Sequence, residues 1–387
     1  MAAIVLCFSE LASKFPGAIG IRAFTNVAFG NQFSIAVTLF YVAMVALIGG
    51  LEVYLCHLLL QQLLPSSLGL MILLALVLSV VVVNLKGYEL SLQLQIVMTL
   101  GVAGMMLLLS SMAMQSEGQV ANKIVNSGFT QTAANSDLFN AIPRALFLFI
   151  GIEWAIMHVT RHQAFKRVLP LALLAAVLVI AALYTNFATA LAHQFNVRSL
   201  QGELLPHLSL ALALQSSSAK VLVIVISLLA VLSSFNVGLS GAARILYSLA
   251  RERELPTWFA QLHGDKFIPR NAMFFIVIAV LVIAPLMSVP AINQCLSQLL
   301  SFHLCLVYAA VLFAWLQMRR KNDQRGIKQA MHPAVVWPIG LFLLAISVGV
   351  LLEPGSEVMR WIVLSEVAAL GGICLYLFRL KIIKIEG

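Results

Sequence analysis

The sequence predicts an all-α integral membrane protein with about 10–11 membrane-spanning helices. Three observations carry that prediction. The 387 residues are 61% hydrophobic and only 10% charged, with a mean hydropathy of +0.99; a soluble domain carries about 25% charged residues. Ten apolar stretches reach the roughly 20 residues that a spanning helix needs. Lysine and arginine are also distributed very unequally between alternate loops.

Taken in order, Met1 to Phe15 is apolar but short. At 1.5 Å per residue it reaches only ~22 Å, against a hydrocarbon core of ~30 Å. The run 32–64 is the longest, at 33 residues, or about 50 Å of helix. The stretches 67–84 and 90–114 follow, separated by "NLKG". The next, 138–160, carries Gly151, Glu153 and Trp154 near its middle. The stretch 169–193 comes after a basic loop, and 219–248 holds a cluster of polar residues. The spans 271–289, 292–318, 334–352 and 358–379 complete the series. The longest non-spanning stretches are 115–137 and 194–218, so no soluble domain is expected.

One set of loops, running from Lys14 to Lys384, holds 19 of the 24 Lys and Arg residues. The other holds Lys123, Arg144, Arg198, Lys220 and Arg360. Positive residues stay on the cytoplasmic side. The first set and the C-terminus are therefore predicted to be inside, in a multi-pass protein of the cytoplasmic membrane. The net charge of +9 reports topology, and a nucleic-acid partner is not expected. With eleven segments Met1 falls outside or within the membrane. A half-length first span starting there is expected to be a helix whose beginning is missing, with a short re-entrant segment as the alternative. "MAAIVLCFSE" lacks the basic region of a cleaved signal peptide.

The cysteines Cys7, Cys56, Cys295, Cys305 and Cys374 lie scattered in apolar segments without a CxxC. Neither a disulfide framework nor a zinc site is indicated. The sequence holds no GxSxG, Walker A, GxGxxG or paired metal ligands. An enzyme, a cofactor and a metal are therefore not expected.

Buried charge is the informative feature. A carboxylate at the bilayer centre costs a few kcal/mol and faces a bundle interior or a water-filled cavity. Gly151 stands two residues before Glu153 and weakens the helix by ~1 kcal/mol relative to Ala. Two readings stay open: a discontinuous helix that exposes backbone groups to a ligand, or a continuous helix with Glu153 bonded to a neighbour. Glu52 lies about one turn from the centre of 32–64, after Gly49 and Gly50. Small residues explain close helix packing but not the acid. Ser233, Ser234, Asn236 and Ser240 sit in 219–248. Individually such groups bond helices together; the clustering of Ser233, Ser234 and Asn236 suggests a cavity. His57, His158 and His303 lack metal-ligand spacing and are expected to be bonded packing residues.

Three stretches resemble one family. "FSELASKFPGAIGIRAFTNVAFG", Phe8 to Gly30, looks like the loop after the second helix of amino acid–polyamine–organocation (APC) permeases. "FLFIGIEWAIMHVTRHQAFKRVLPLA", Phe147 to Ala172, is similar to that family's sixth helix, with its Phe-x-Gly-x-Glu core. "GAARILYSLARERELP", Gly241 to Pro256, resembles the end of its eighth, and "NLKG", Asn84 to Gly87, fits the loop before its fifth. The resemblance implies a five-plus-five inverted-repeat, leucine-transporter-like fold, N-terminally truncated. In it 1–15 is a remnant of the second family helix, 32–114 the rest of the first repeat, 138–318 the second repeat and 334–379 two C-terminal helices.

The resemblance also implies secondary active transport of amino acids or related amines by alternating access, as permease or antiporter. Protons or a counter-substrate and the lipid bilayer would be the other partners. It places the sixth-helix break at Phe149, Ile150, Gly151, Ile152 and Glu153, with Phe147 as a gating aromatic. Glu52 falls on the substrate side of the third helix, where it would favour a basic amino acid or polyamine. Ser233 lies within the eighth helix, with Asn236 and Gly238 on its cavity side. Four departures stand out: the family's first helix is absent before Met1, Trp154 replaces a small residue, Val102 stands where proton-dependent relatives often carry Lys, and Arg253 replaces a usual Gly. The alternative reading is a truncated, non-transporting remnant or a membrane interaction protein.

Overall fold

A computed structural model describes the chain except for residues 16–19, 87, 117–140, 143, 157–162, 197–199, 201–202, 215–216, 265–267, 321–330, 354–356 and 387. The stretch 115–137, expected not to span, and residue His158 thus fall largely or wholly outside the described residues. The rest is helical, apart from turns, a 3-10 turn at Thr257–Ala260 and a lone antiparallel bridge between His263 and Ile268. In chain order the helices are α1 Ala2–Lys14, α2 Gly20–Phe29, α3 Asn31–Gln61, α4 Ser66–Lys86, α5 Tyr88–Gln115, α6 Ile152–Ile156 and α7 Gln163–Gln194. They continue as α8 Pro206–Ala213, α9 Ser217–Arg251, α10 Arg270–Leu286, α11 Pro290–Arg320, α12 Pro333–Leu352 and α13 Glu357–Glu386.

Among the described residues, seven helices are long and apolar enough to cross a membrane: α3, α4, the 95–115 part of α5, α7, α9, α11 and α12. Helix α10 is equally apolar but has 17 residues. In hydrocarbon each backbone N–H and C=O must be bonded internally, and a helix does this within one segment. The fold is that of an all-α integral membrane protein. Expected spans match these helices to within a few residues in most cases. Two short helices, α2 and α8, lie where loops were expected. Their length hides the 3.6-residue pattern among Gly, Pro and Asn signals. "NLKG" is only partly a loop, because α4 runs on through Lys86 and carries Asn84 in its last turn.

Helix ends follow local chemistry. Helices α8, α11 and α12 each open on a proline, whose missing N–H is no loss in a first turn. The His332 ring accepts a hydrogen bond from the Ala334 N–H at the start of α12. Lys14, Lys86, Arg251, Arg319 and Arg320 close the last turns of α1, α4, α9 and α11. There they meet the negative end of the helix dipole.

The chain divides into two units. The first comprises 1–49, 135–177 and 238–387; the second comprises 50–134 and 178–237. Three of the four divisions fall inside α3, α7 and α9. In the first unit α11 is the central helix, buried along nearly its whole length and packed against α1, α2, α12 and α13. It carries serines, glutamines and a histidine that a lipid-facing helix would expose at high cost. Helix α12, with apolar side chains all round, leaves Leu341, Val348 and Leu352 exposed.

Paired charges tie the first unit's basic end together. Arg319 donates to both Glu10 oxygens, at 3.0 and 3.1 Å, and its guanidinium lies 4.2 Å from the Trp315 ring. Buried Arg22 donates to Glu252 at 2.7 Å and to Asn31, which in turn donates to Glu254 at 2.9 Å. Glu252 and Glu254 follow α9 in a tight stop. The Glu254 N–H reaches the Leu249 carbonyl at 2.8 Å, and the Arg253 N–H reaches Ala250 at 3.0 Å. This is a Schellman turn, which places its penultimate residue in the left-handed region and favours glycine there. Arg253 occupies that place with φ +62°.

The second unit closes on an apolar core. Leu59, Met105, Leu109, Ala113, Ala190, Leu208, Leu210 and Ile224 bring together α3, α5, α7, α8 and α9. Gln194, near the end of α7, donates to the Ala113 carbonyl of α5 at 2.8 Å and to Ser116. It thereby satisfies one of the carbonyls that a helix end leaves open.

Candidate functional site

The stretch around Gly151 is a broken helix. Helical residues 144–147 give way to a turn over 148–151, and α6 begins at Ile152. The turn is held by i→i+3 bonds: Phe149 N–H to Leu146 at 3.1 Å, Ile150 to Phe147 at 3.1 Å and Trp154 to Gly151 at 3.0 Å. Gly151 sits at φ +97°, a conformation that a side chain would strain. The glycine that weakened the span in the sequence is the residue at which the backbone turns.

Glu153, the second residue of α6, is 3% exposed, and three donors converge on its carboxylate. Tyr41 of α3 donates to Oε1 at 3.0 Å. Tyr308 of α11 donates to Oε2 at 2.7 Å. The Gly151 N–H reaches Oε2 at 3.2 Å, so the carboxylate also closes the break that precedes it. The Trp154 indole N–H donates to the Tyr41 oxygen, which makes a relay from indole through phenol to carboxylate. Phe8 of α1 packs edge-on to Tyr308 with ring centroids 5.6 Å apart. Four elements thus meet around one acid. Of the two readings left open by the sequence, each is present in part: the helix is discontinuous, and Glu153 bonds to neighbouring helices.

Trp154 covers the break. A Cβ on Gly151 would lie 3.5 Å from its ring, and a Cβ on Gly238 of α9 would lie 3.3 Å from it and 3.4 Å from Val45. The large residue that departs from the family pattern therefore fills space between two glycines. Phe147, Phe149, Ile150 and Ile152 line the turn as half-buried residues.

The remaining expected site residues, Glu52, Ser233 and Asn236, belong to the second unit. Glu52 is 9% exposed, with the Ser234 hydroxyl of α9 close to its carboxyl, and Ser233 is buried on the same helix. Asn236 accepts from Asn84 of α4, which also donates to Val80 in its own helix. That is the helix-bonding role expected of such groups one at a time. His303 is fully buried, bonded to Glu366 at 2.8 Å and stacked on Phe40 at 4.1 Å. His57 bonds Gln61 at 2.8 Å. Among the described residues no group of three or more His, Cys, Asp or Glu side chains could hold a metal.

Tyr41 and Tyr308 were not singled out in the sequence. Each sits on an apolar helix, more than 100 positions from Glu153. The available signal was the polar handle itself, since a buried tyrosine hydroxyl usually finds a partner.

With this geometry in place, comparison with known proteins decides the family. Residues 1–361 match the amino acid permease family. The chain belongs to that family. The chain is 32% identical over 129 residues to an uncharacterized amino acid permease, YvbW, of Bacillus subtilis (strain 168). That match covers 32% of this chain and 28% of the relative. It is 26% identical over 197 residues to an uncharacterized transporter of Rhizobium meliloti (strain 1021), covering 49% of this chain and 40% of the relative. The matched stretches thus span less than half the length of either relative.

Proposed function

We propose that the permease is a secondary active transporter of amino acids or related amines, and that the broken helix at Gly151 with its Glu153 carboxylate is its working site. The observation that carries this reading is the convergence of three donors from two other helices and the break itself on one buried acid. A carboxylate held this way can exchange a phenol donor for a substrate ammonium or for a proton. Either exchange would alter the bonds that join α3, α6 and α11. The backbone groups around Gly151 are the partners offered to the substrate's own charges. A five-plus-five repeat working by alternating access, with the C-terminus cytoplasmic, fits the family and the loop charges. A proton or a counter-substrate would supply the driving force.

Reconstitution into proteoliposomes tests the reading. Uptake of a labelled amino acid and polyamine panel should fall on Glu153→Gln by roughly 10-fold or more, the loss of one charge-assisted interaction. Undiminished uptake by that variant would remove Glu153 from the mechanism. No uptake of any panel member by the unaltered chain would favour the non-transporting alternative.

A further inference from the structure

The first unit contains a cavity of about 730 Å³ that the transport site does not use. Its walls come from α3 (Gln32 to Phe40), α11 (Phe302 to Phe313), α12 (Leu344) and α13 (up to Cys374). The lining is almost wholly apolar, with Gln32 the polar residue at one end. Phe302 and Phe313 are eleven residues apart on α11, or ~17 Å of helix. Half of the hydrocarbon core is ~15 Å. The cavity therefore runs about the depth of one leaflet, between helices that belong in the bilayer.

The Phe313 end is fitted for an interface. The Phe313 ring packs against Trp337 of α12 at 5.4 Å, and it is seated on Gly340, where a Cβ would approach it to 3.0 Å. Trp337 is partly exposed, and the Arg320 guanidinium lies 5.4 Å from its ring. Trp and Arg side by side at the end of a spanning helix mark the headgroup level. Neighbouring Arg319 is held by Glu10, whereas Arg320, about two helical turns beyond Phe313, is exposed. An apolar space of this size gives water no partners, and left empty it would forfeit the dispersion contacts of its walls.

We infer that this cavity holds an acyl chain of an anionic phospholipid, with the headgroup at Arg320 and Trp337. The apolar slot takes the tail, and the cation beyond its Phe313 end selects the charge of the head. The inference rests on the chain lying in a bilayer, and its readout needs no transport. A failure here is thus distinct from a failure of the transport reading.

The test is native mass spectrometry of the purified full chain. Phosphatidylglycerol and phosphatidylcholine of identical acyl chains are titrated against the protein. The unaltered protein should retain phosphatidylglycerol preferentially. Ala36→Phe and Leu344→Trp fill the cavity from opposite walls. Each should lower retention of both lipids roughly 10-fold, with size-exclusion and circular dichroism reporting the fold. Arg320→Gln should keep the tail site but lose the preference, about fivefold for one basic residue. Equal retention by the unaltered chain and both filled variants would overturn the inference. So would a dimer that Leu344→Trp converts to monomer without changing lipid retention, which would make a second copy the occupant. Persistence of the preference in Arg320→Gln would overturn the headgroup assignment.

Discussion

Each unit of the chain buries a carboxylate in an apolar span, and the two are satisfied in different ways. Glu153 receives Tyr41, Tyr308 and the Gly151 N–H, drawn from α3, α11 and a break in its own helix. Glu52 stands in an unbroken stretch of α3, with the Ser234 hydroxyl close to its carboxyl, in a unit where the buried pair Asn84 and Asn236 joins two helices. The difference is one of construction. Three donors and a positive-φ glycine make a charge part of a specific geometry, whereas one hydroxyl makes it tolerable. A buried acid in a membrane helix is a common pointer to function; the number and origin of its donors distinguish the two acids here.

The comparison can be broken at the phenols. Tyr41→Phe removes a donor from Glu153 and an acceptor from the Trp154 indole; Tyr308→Phe removes a donor alone. A hydrogen bond to a charged group is worth about 1.5–3 kcal/mol. Initial-rate uptake should fall roughly 10- to 100-fold, more for Tyr41→Phe than for Tyr308→Phe. An equivalent change in the second unit, Ser234→Ala, should have much less effect. Similar losses in all three would dissolve the distinction between the units.

Gly151→Ala probes the break itself. Holding a non-glycine residue at φ +97° costs roughly 1–2 kcal/mol. Uptake should fall about 10-fold at unchanged expression. Retention of full uptake would show that the positive φ is not needed. Glu52→Gln is expected to change total uptake less than about threefold, while altering competition by lysine, arginine and putrescine. If that competition is unchanged, Glu52 has no part in substrate choice. The smallest effect lies away from both acids. Arg253→Gly relieves the left-handed residue of the Schellman turn and should raise the melting temperature by ~2–4 °C, with uptake unaltered. A lowered melting temperature would mean that the Arg253 side chain contributes more than its backbone costs.

The sequence made the spans legible because lipid imposes one rule on every residue of a helix. Length and apolarity alone place α3, α4, α7, α11 and α12 within a few residues. The break was legible as well, since Gly151 and Glu153 conflict locally with an apolar span. The partners of Glu153 were not. Tyr41 and Tyr308 reach it through tertiary packing, and no periodicity links residues so far apart. Arg253 shows a middle case. Its departure from a family glycine was visible, but the reason for that glycine appeared only with the bonds from Glu254 to Leu249 and from Arg253 to Ala250. Asn236 bonds Asn84 across two helices, the role the sequence offered for such a group taken singly, and the partner itself was not legible.

The most direct test sets the two acids side by side. Glu153→Gln and Glu52→Gln are reconstituted at matched protein density, and initial uptake of the labelled panel is measured with melting temperature as the control for folding. The account predicts a loss of roughly 10-fold or more for Glu153→Gln, under about threefold for Glu52→Gln, and similar melting temperatures. Equal losses in the two variants, or a larger loss for Glu52→Gln, would contradict it.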